Sequence, residues 1–384
     1  MKLTHPWEPE YGRDSRVLIL GTFPSPKSRE TGHFYGHPQN VFWASLAASL
    51  GVREPAPEVK ARKRFVHEHG IALWDVFERV VIEGASDASI RGAKPNVFRE
   101  IIDASDICAV FTTGRTATDA FNGLCSSEAG MRGIYLPSTS PANRRTQATP
   151  EYAHRWSLVG KVLKGELVSG TTMKELDRRA IEEKGVPSLV LMERAAQAVV
   201  EALRAGVPAL SAGNTPSTSK NLLCVCGAGN NGGDGFAVAR LLSRAGIPAE
   251  ALFVGDERKM TAETRQQALL ARDCGVAIHD NDLSVIAGSG ILVDALFGIG
   301  LMRALAGAYL EAVRALCKAR AAGAYVLAVD IPSGISPDTG EALGAAVAAD
   351  ETVTFAYPKI GQTIGQGLAC SGKLSVADIG VYQD

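Results

Sequence analysis

The run Gly227-Ala-Gly-Asn-Asn-Gly-Gly-Asp-Gly235 follows an apolar, strand-like stretch, Leu222 to Cys226, and precedes an apolar-periodic one, Phe236 to Leu242. A strand that passes through small residues straight into a helix builds an anion-binding turn in an α/β fold. The small residues let the backbone approach a pyrophosphate. The helix N-terminus supplies free N–H groups and the positive end of a dipole. The spacing Gly227-x-Gly229-x-x-Gly232 occurs in many dinucleotide-binding turns. Asn230, Asn231 and Asp234 add oxygen donors that a dehydrogenase turn does not need.

Two more carboxylates stand at strand ends: Asp294 after Ile291-Leu-Val, and Asp330 after Tyr325-Val-Leu-Ala-Val. Ligands of doubly wound sheets bind at the carboxyl ends of the strands, so the topology brings these carboxylates toward the glycine-rich turn. Upstream, Thr172-Met-Lys-Glu175 has the capping-box pattern of a helix start. Gly185-Val-Pro-Ser188 separates that helix from a second one running through Leu203. Gly213 to Lys220 reads as a polar surface loop, after which strand and helix signals alternate to Gly380.

These motifs, with Met173-Lys-Glu-Leu-Asp-Arg-Arg-Ala and Leu191-Met-Glu-Arg-Ala, resemble the NAD(P)H-hydrate epimerase family from about Val168 to the end. The resemblance implies a Rossmann-like domain that interconverts the R and S epimers of hydrated NADH and NADPH. It implies that Asn230, Asn231, Gly232, Gly233 and Asp234 bind the hydrate, and that the loop Gly298-Ile299-Gly300-Leu301-Met302-Arg303-Ala304 closes over it. Asn231, Asp294 and Ser333 match the family's potassium ligands; an amide, a carboxylate and a hydroxyl are the oxygen donors a hard cation takes. Asp330 matches a substrate-contacting position and is the expected acid–base group. Asp294 or Asp330 capping a turn is the plainer alternative. Lys359 is read as either a phosphate contact or a solvated side chain. There is no room for the ATP- or ADP-dependent dehydratase domain fused to some epimerases, so a separate dehydratase would complete the repair. The family resemblance is also compatible with a homodimer.

At 384 residues the chain exceeds one usual core. Trp7, Trp43, Trp74 and Trp156 and six of the seven His all precede residue 160, which predicts two domains of different ancestry, 1–166 and 167–384. The first has 21 Lys+Arg against 18 Asp+Glu and the second 19 against 23, so neither balance demands a polyanion. In the first, Val17-Leu-Ile-Leu leads into Gly21-Thr-Phe-Pro-Ser-Pro-Lys-Ser28. Further strand and helix signals alternate as far as a helix at Glu151 to Leu163. The fold class expected is therefore α/β, as two three-layer α/β/α domains.

Gly21-Thr-Phe-Pro-Ser and Leu136-Pro-Ser-Thr-Ser-Pro resemble the first and second motifs of the uracil-DNA glycosylase superfamily. His37-Pro-Gln-Asn-Val-Phe-Trp43, Ala72-Leu-Trp-Asp-Val76 and Ser86-Asp-Ala-Ser-Ile-Arg91 are most similar to its DNA-deoxyinosine (hypoxanthine) branch. That resemblance implies excision of hypoxanthine from DNA by hydrolysis of the N-glycosidic bond, without a cofactor. Asn40 is the candidate for positioning the attacking water, and since an amide is a weak base, leaving-group stabilisation carries most of the reaction. Gly21, Phe23 and Ser25, together with Ser138, Ser140, Asn143 and Arg144, are the candidate base and DNA contacts, with Arg145 beside them. Leu136 stands where many members place His, and Thr113 where the hypoxanthine branch often has Asn. Uracil or xanthine specificity therefore stays open, as does a non-catalytic nucleic-acid-binding scaffold.

Plainer readings run alongside. Asn40 is also a natural helix cap. His33 and His37 have helical spacing, but no acidic or Cys cluster completes a metal site. Lys60 to Arg64 reads as a solvated helix face. An NAD-dependent dehydrogenase is the same-class rival, with Asp256 and Glu257 at ribose-anchor spacing but no hydride-partner His or Tyr. Seven unpatterned Cys indicate a reducing compartment, and no apolar run approaches membrane-spanning length, so a soluble cytoplasmic protein is expected.

Overall fold

The computed structural model describes residues 2–82, 89–210 and 221–383, and it divides after Thr171 into two compact units. The first unit carries β1 (Lys2–Thr4), β2 (Val17–Gly21), β3 (Ile71–Asp75), β4 (Phe77–Val81), β5 (Arg91–Pro95), β6 (Ala109–Thr113) and β7 (Gly133–Leu136). Among the described residues, β3-β2-β6-β7 form a parallel sheet and β1-β4-β5 a small antiparallel one. Every residue of β2 is buried, as a central parallel strand covered on both faces requires. The register pairs Gly21 with Asp75 and Thr113 with Leu136, so the strand ends line up along one edge. Helix Pro150–Leu163 begins with Thr149 accepting from the Tyr152 N–H and Pro150 in the first turn, a pre-organised start. Ser86 to Ala88, part of a quoted motif, lie outside the described residues.

The second unit carries β8 (Asn221–Cys226), β9 (Ala249–Phe253), β10 (Ile278–Asp280), β11 (Ser289–Ala295), β12 (Tyr325–Val329), β13 (Glu351–Phe355) and β14 (Lys373–Ala377). Its sheet is parallel throughout the described residues, in the order β10-β9-β8-β11-β12-β13-β14. The winding reverses between β8 and β11, and this switch point opens a crevice at the strands' carboxyl ends. Leu223, Val225, Leu292, Val326 and Ala328 give the sheet one continuous apolar face, packed against helix Gly307–Ala321 through Ala312, Val313 and Leu316. The expected capping box does not start its helix: the helix runs Gly170–Glu182 and begins two residues earlier. Helix Ser188–Gly206 follows after Gly185, whose φ of 69° ends the preceding turn. The expected loop at Gly213 to Lys220 lies outside the described residues. No described helix is long and apolar enough to cross a membrane.

Candidate functional site

In the second unit, helix Asn230–Arg244 starts inside the glycine-rich run, so Asn230 and Asn231 form its first turn and Gly229 its N-cap. Close approach dictates the glycines. A Cβ on Gly227 would overlap the Leu296 carbonyl, and one on Gly232 the Gly227 carbonyl. The turn therefore lies pressed against the end of β11, with the Gly227 N–H donating to Ala295 O at 3.0 Å. A cleft of about 1000 Å³ opens above this junction. Asn230, Asn231, Asp234, Asp330 and the loop Gly298–Leu301 with Arg303 and Ala304 line it. Of the expected substrate residues, Gly232 and Gly233 lie buried beneath the cleft wall, and Met302 is 54% exposed; none of the three lines the cleft.

Asp330 is held from several sides. Its φ of 65° is uncommon for a residue with a side chain. Lys359 Nζ donates to its Oδ1 at 2.5 Å, Thr354 Oγ1 donates at 3.2 Å and the Phe355 N–H at 3.4 Å. Its own N–H donates to Val353 O, and Gln362 Nε2 donates to its carbonyl at 2.8 Å. Lys359 is neither of the things expected of it. Its side chain is fully buried and its ammonium is shared among Asp330, Thr354 and the Phe355 carbonyl. A buried lysine needs such a partner, and the carboxylate at the end of β12 supplies it.

Two further carboxyls share the cleft with this ion pair. Asp234 is buried and pushed well above the usual carboxylate range, first by desolvation and then by the charges of Asp330 and Asp177. Asp177, half-buried on helix Gly170–Glu182, is pushed up to about 7 by desolvation and by Asp330, with Lys359 opposing. Asp177 lies in the Met173-to-Ala180 segment that carries part of the family resemblance, where no role was expected of it.

Asp294 and Ser333 meet at 0% exposure: Ser333 Oγ donates to Asp294 Oδ1 at 2.6 Å and the Ser333 N–H to Oδ2 at 2.8 Å. Burial pushes Asp294 up to about 6 against these hydrogen bonds. Asn231 Nδ2 is buried with no protein partner, and Asn231 Oδ1 and Asp330 Oδ2 both lie beside Gly298. The set of one carboxylate, one amide and one hydroxyl suits a singly charged cation better than a divalent one, which attracts several carboxylates. Among the described residues no group of three His, Cys, Asp or Glu forms a metal cluster.

In the first unit the expected residues gather at the carboxyl edge of the parallel sheet. Asn40 Oδ1 accepts the Phe42 N–H at 3.0 Å, a local turn one residue before the helix's N-cap, Val41, and the Val41 N–H donates to Thr139 O at 3.2 Å. That bond joins the Asn40 loop to the Ser138–Asn143 turn. There the Ser138 hydroxyl accepts from the Ser140 N–H, and Gln147 Nε2 bridges the Ser138 and Ser140 carbonyls. Arg144 and Arg145 are exposed, while Asn143 is half-buried. Ser25 caps helix Pro26–Thr31. Phe23 is 8% exposed within the core and meets His5 edge-on at 5.8 Å. Tyr35 OH lies 3.0 Å from Thr113 Oγ1, which donates to Leu20 O.

Sequence reasoning missed a pair at this edge. His5 Nε2 bonds Asp75 Oδ2 at 3.0 Å, and a Cβ on Gly21 would overlap Asp75 Oδ1. His33 stacks on Trp43, and burial pushes it down to about 4, so it is a neutral core histidine. The Lys60–Arg64 segment is not wholly solvated: Lys63 pairs with Glu10 at 2.5 Å and Arg62 lies over Trp43. Asp256, the dehydrogenase rival's ribose anchor, lines the second unit's cleft but is paired with Arg258 at 2.9 Å.

Residues 188–361 match the family described as YjeF-related protein N-terminus, and residues 9–159 match the uracil DNA glycosylase superfamily. An NAD(P)H-hydrate epimerase of Limosilactobacillus reuteri is 41% identical over 218 residues, covering 56% of this chain and 97% of its own length. One of Weissella koreensis is 42% identical over 217 residues, covering 56% and 92%. A crystal structure of a yeast protein shares 25% identity over 51% of this chain and 83% of that one, with a TM-score of 0.47. The second unit, bearing the glycine-rich turn and its carboxylate cleft, makes this chain a member of the NAD(P)H-hydrate epimerase family, and its first unit is a uracil DNA glycosylase superfamily domain.

Proposed function

We propose that the chain is a bifunctional repair enzyme: the second unit epimerises the R and S forms of hydrated NADH and NADPH, and the first excises hypoxanthine from DNA. The observation that carries the first activity is the cleft at the β8/β11 switch point, where an anion-binding turn faces the Asp330–Lys359 pair. The turn takes the phosphates, and the Gly298–Ala304 loop covers the ligand. Asp330 presents a fixed negative charge to the reacting ring, where loss of a hydroxyl leaves a cation. Asn231, Asp294 and Ser333 would hold potassium, which supplies a fixed positive charge beside the bound phosphates. Relatives bearing the name NAD(P)H-hydrate epimerase support this reading. Purified protein given one epimer of hydrated NADH, followed by chromatographic separation of the two, should reach the mixed equilibrium far sooner than buffer alone. No acceleration, with or without potassium, refutes the epimerase.

For the first unit, support comes from the Asn40 loop bonded to the Ser138–Asn143 turn beside the sheet edge. Asn40 Nδ2 orients water while the base departs, and the exposed Arg144 and Arg145 meet phosphates. Duplexes containing deoxyinosine, deoxyuridine or deoxyxanthosine, treated with protein and then alkali, test this. Cleavage at deoxyinosine that is lost in Asn40→Ala is the expected result; cleavage at none of the three refutes the glycosylase. The product hydrate epimer would pass to a separate dehydratase.

A further inference from the structure

Asp177, Asp234 and Asp330 all line the second unit's cleft, and they are not equivalent. Asp330 spends Oδ1 on Lys359, Thr354 and the Phe355 N–H. Lys359 spends all three of its donors on Asp330, Thr354 and the Phe355 carbonyl, leaving none for a ligand. Asp234 sits deeper, one turn into helix Asn230–Arg244, at 9% exposure. Asp177 differs from both: it lines the cleft from helix Gly170–Glu182, is half-buried, and its carboxyl makes no hydrogen bond or ion pair to another described residue. A carboxyl that is desolvated, unpartnered and in reach of a ligand is free to hold a proton and give it up.

Resting on the epimerase reading above, we propose that Asp177 is the proton carrier of the reaction and that Asp330, paired with Lys359, is the fixed anion opposite it. The hydrated ring carries a hydroxyl on a saturated carbon next to the ring nitrogen. The Asp177 carboxylic acid protonates that hydroxyl. The C–O bond breaks with both electrons leaving on oxygen as water, and the nitrogen lone pair forms a C=N bond, so the ring becomes a cation and Asp177 a carboxylate. Addition of water to the opposite ring face, with its surplus proton returned to Asp177, restores the hydrate as the other epimer. Nothing is oxidised or reduced.

The surroundings suit this division. Lys174 lines the cleft from the same helix, Asp234 acts on Asp177 from helix Asn230–Arg244, Asp330 and Lys359 act on it from beyond the ends of β12 and β13, and Asp256, Lys259 and Arg303 also line the cleft. Desolvation first, and then the charge of Asp330, keep Asp177 protonated into the neutral range. Pairs of titratable groups driven apart in this way mark acid and base assignments.

The test uses the full chain and a single epimer of hydrated NADH, with kcat and KM measured from about pH 5.5 to pH 9. The unassisted background rate is subtracted at each pH. In the wild type, kcat falls as pH rises through the neutral range. Asp177→Asn is expected to lose about 100-fold in kcat with KM little changed, and to lose that pH limb. Asp177→Glu retains measurable turnover. The proposal is overturned if Asp177→Asn keeps kcat within about threefold, if its loss is confined to KM, or if the limb persists in it and disappears in Asp234→Asn instead. Should Asp177→Asn fail to fold, Asp177→Glu decides: an unmoved pH limb overturns the assignment and a displaced one supports it. A wild type inert toward the hydrate overturns the epimerase reading itself, a result distinct from an active wild type indifferent to Asp177.

Discussion

Replacing Lys359 with Met removes the only cation bonded to Asp330 among the described residues while keeping most of the stem's volume in its buried slot. The ammonium contacts Asp330 Oδ1 at 2.5 Å, Thr354 Oγ1 at 2.9 Å and the Phe355 carbonyl at 3.1 Å. Breaking a buried pair from one side costs about 3–5 kcal/mol, because the remaining charge stays desolvated without its partner. Loss of the ammonium's two hydrogen bonds to Thr354 and the Phe355 carbonyl adds at least roughly 0.5–1.5 kcal/mol each where the acceptors find no water. A total of about 4–8 kcal/mol is a large part of the roughly 5–15 kcal/mol stability of a domain. The double variant Lys359→Met/Asp330→Asn should be more stable than Lys359→Met alone, since it removes the stranded charge. The chain contains its own control: Trp7, Trp43, Trp74 and Trp156 all lie in the first unit, so urea unfolding followed by Trp fluorescence reports that unit only. Far-UV circular dichroism should show the second unit's transition moving to lower urea while the Trp transition stays in place. A loss below about 1 kcal/mol in Lys359→Met, or a double variant less stable than the single one, would mean that water reaches the pair and would refute the reasoning.

Three further outcomes follow from the geometry. Gly232→Ala should abolish folding of the glycine-rich turn, because its Cβ would overlap the Gly227 backbone, whereas Gly229→Ala meets nothing within 4 Å; thermal melting of the pair should separate them clearly, and equal melting would contradict the packing. Potassium should raise the second unit's melting temperature more at pH 8 than at pH 5. Asp294 in the fold is pushed up to about 6, above its unfolded value, so without a cation the group favours the fold increasingly as pH falls from about 6 toward 4; the charged form that holds a cation exists only above that range. A cation effect independent of pH would exclude Asp294 as a ligand. Asn40→Ala should lower first-unit stability by about 1 kcal/mol through loss of the hydrogen bond to the Phe42 N–H, visible in Trp fluorescence, apart from any loss of base excision.

What the sequence disclosed followed from local rules. The apolar runs at Val17–Leu20, Leu222–Cys226 and Tyr325–Val329 are strands buried on both faces, and such strands are readable because a parallel sheet leaves no solvent side to interrupt them. Asn230, Asn231, Asp234, Asp294 and Asp330 were legible because each stands at a strand end or near the start of the helix that follows the glycine-rich turn, where the fold class fixes direction. Lys359 was not: Tyr357-Pro358-Lys359 carries no sign of burial, and its partner Asp330 is 29 residues away. Asp75 and His5 are 70 residues apart and meet only through the β2–β3 register and a strand pairing at the chain's start.

Asp177 was hidden by its neighbours. Arg178, next in the chain, pairs with Glu175, Glu182 and Glu183, and that network makes the segment read as a solvated helix face. Helical geometry turns adjacent residues about 100° apart, so the charge-paired face and the cleft face can belong to consecutive residues. The Asp177 carboxyl is desolvated and lies beside the charge of Asp330, whose own cation, Lys359, is committed to it. Burial on the cleft face, which the charge-paired neighbours of Asp177 conceal in the sequence, is what the proposed proton transfer at the β8/β11 switch point draws on.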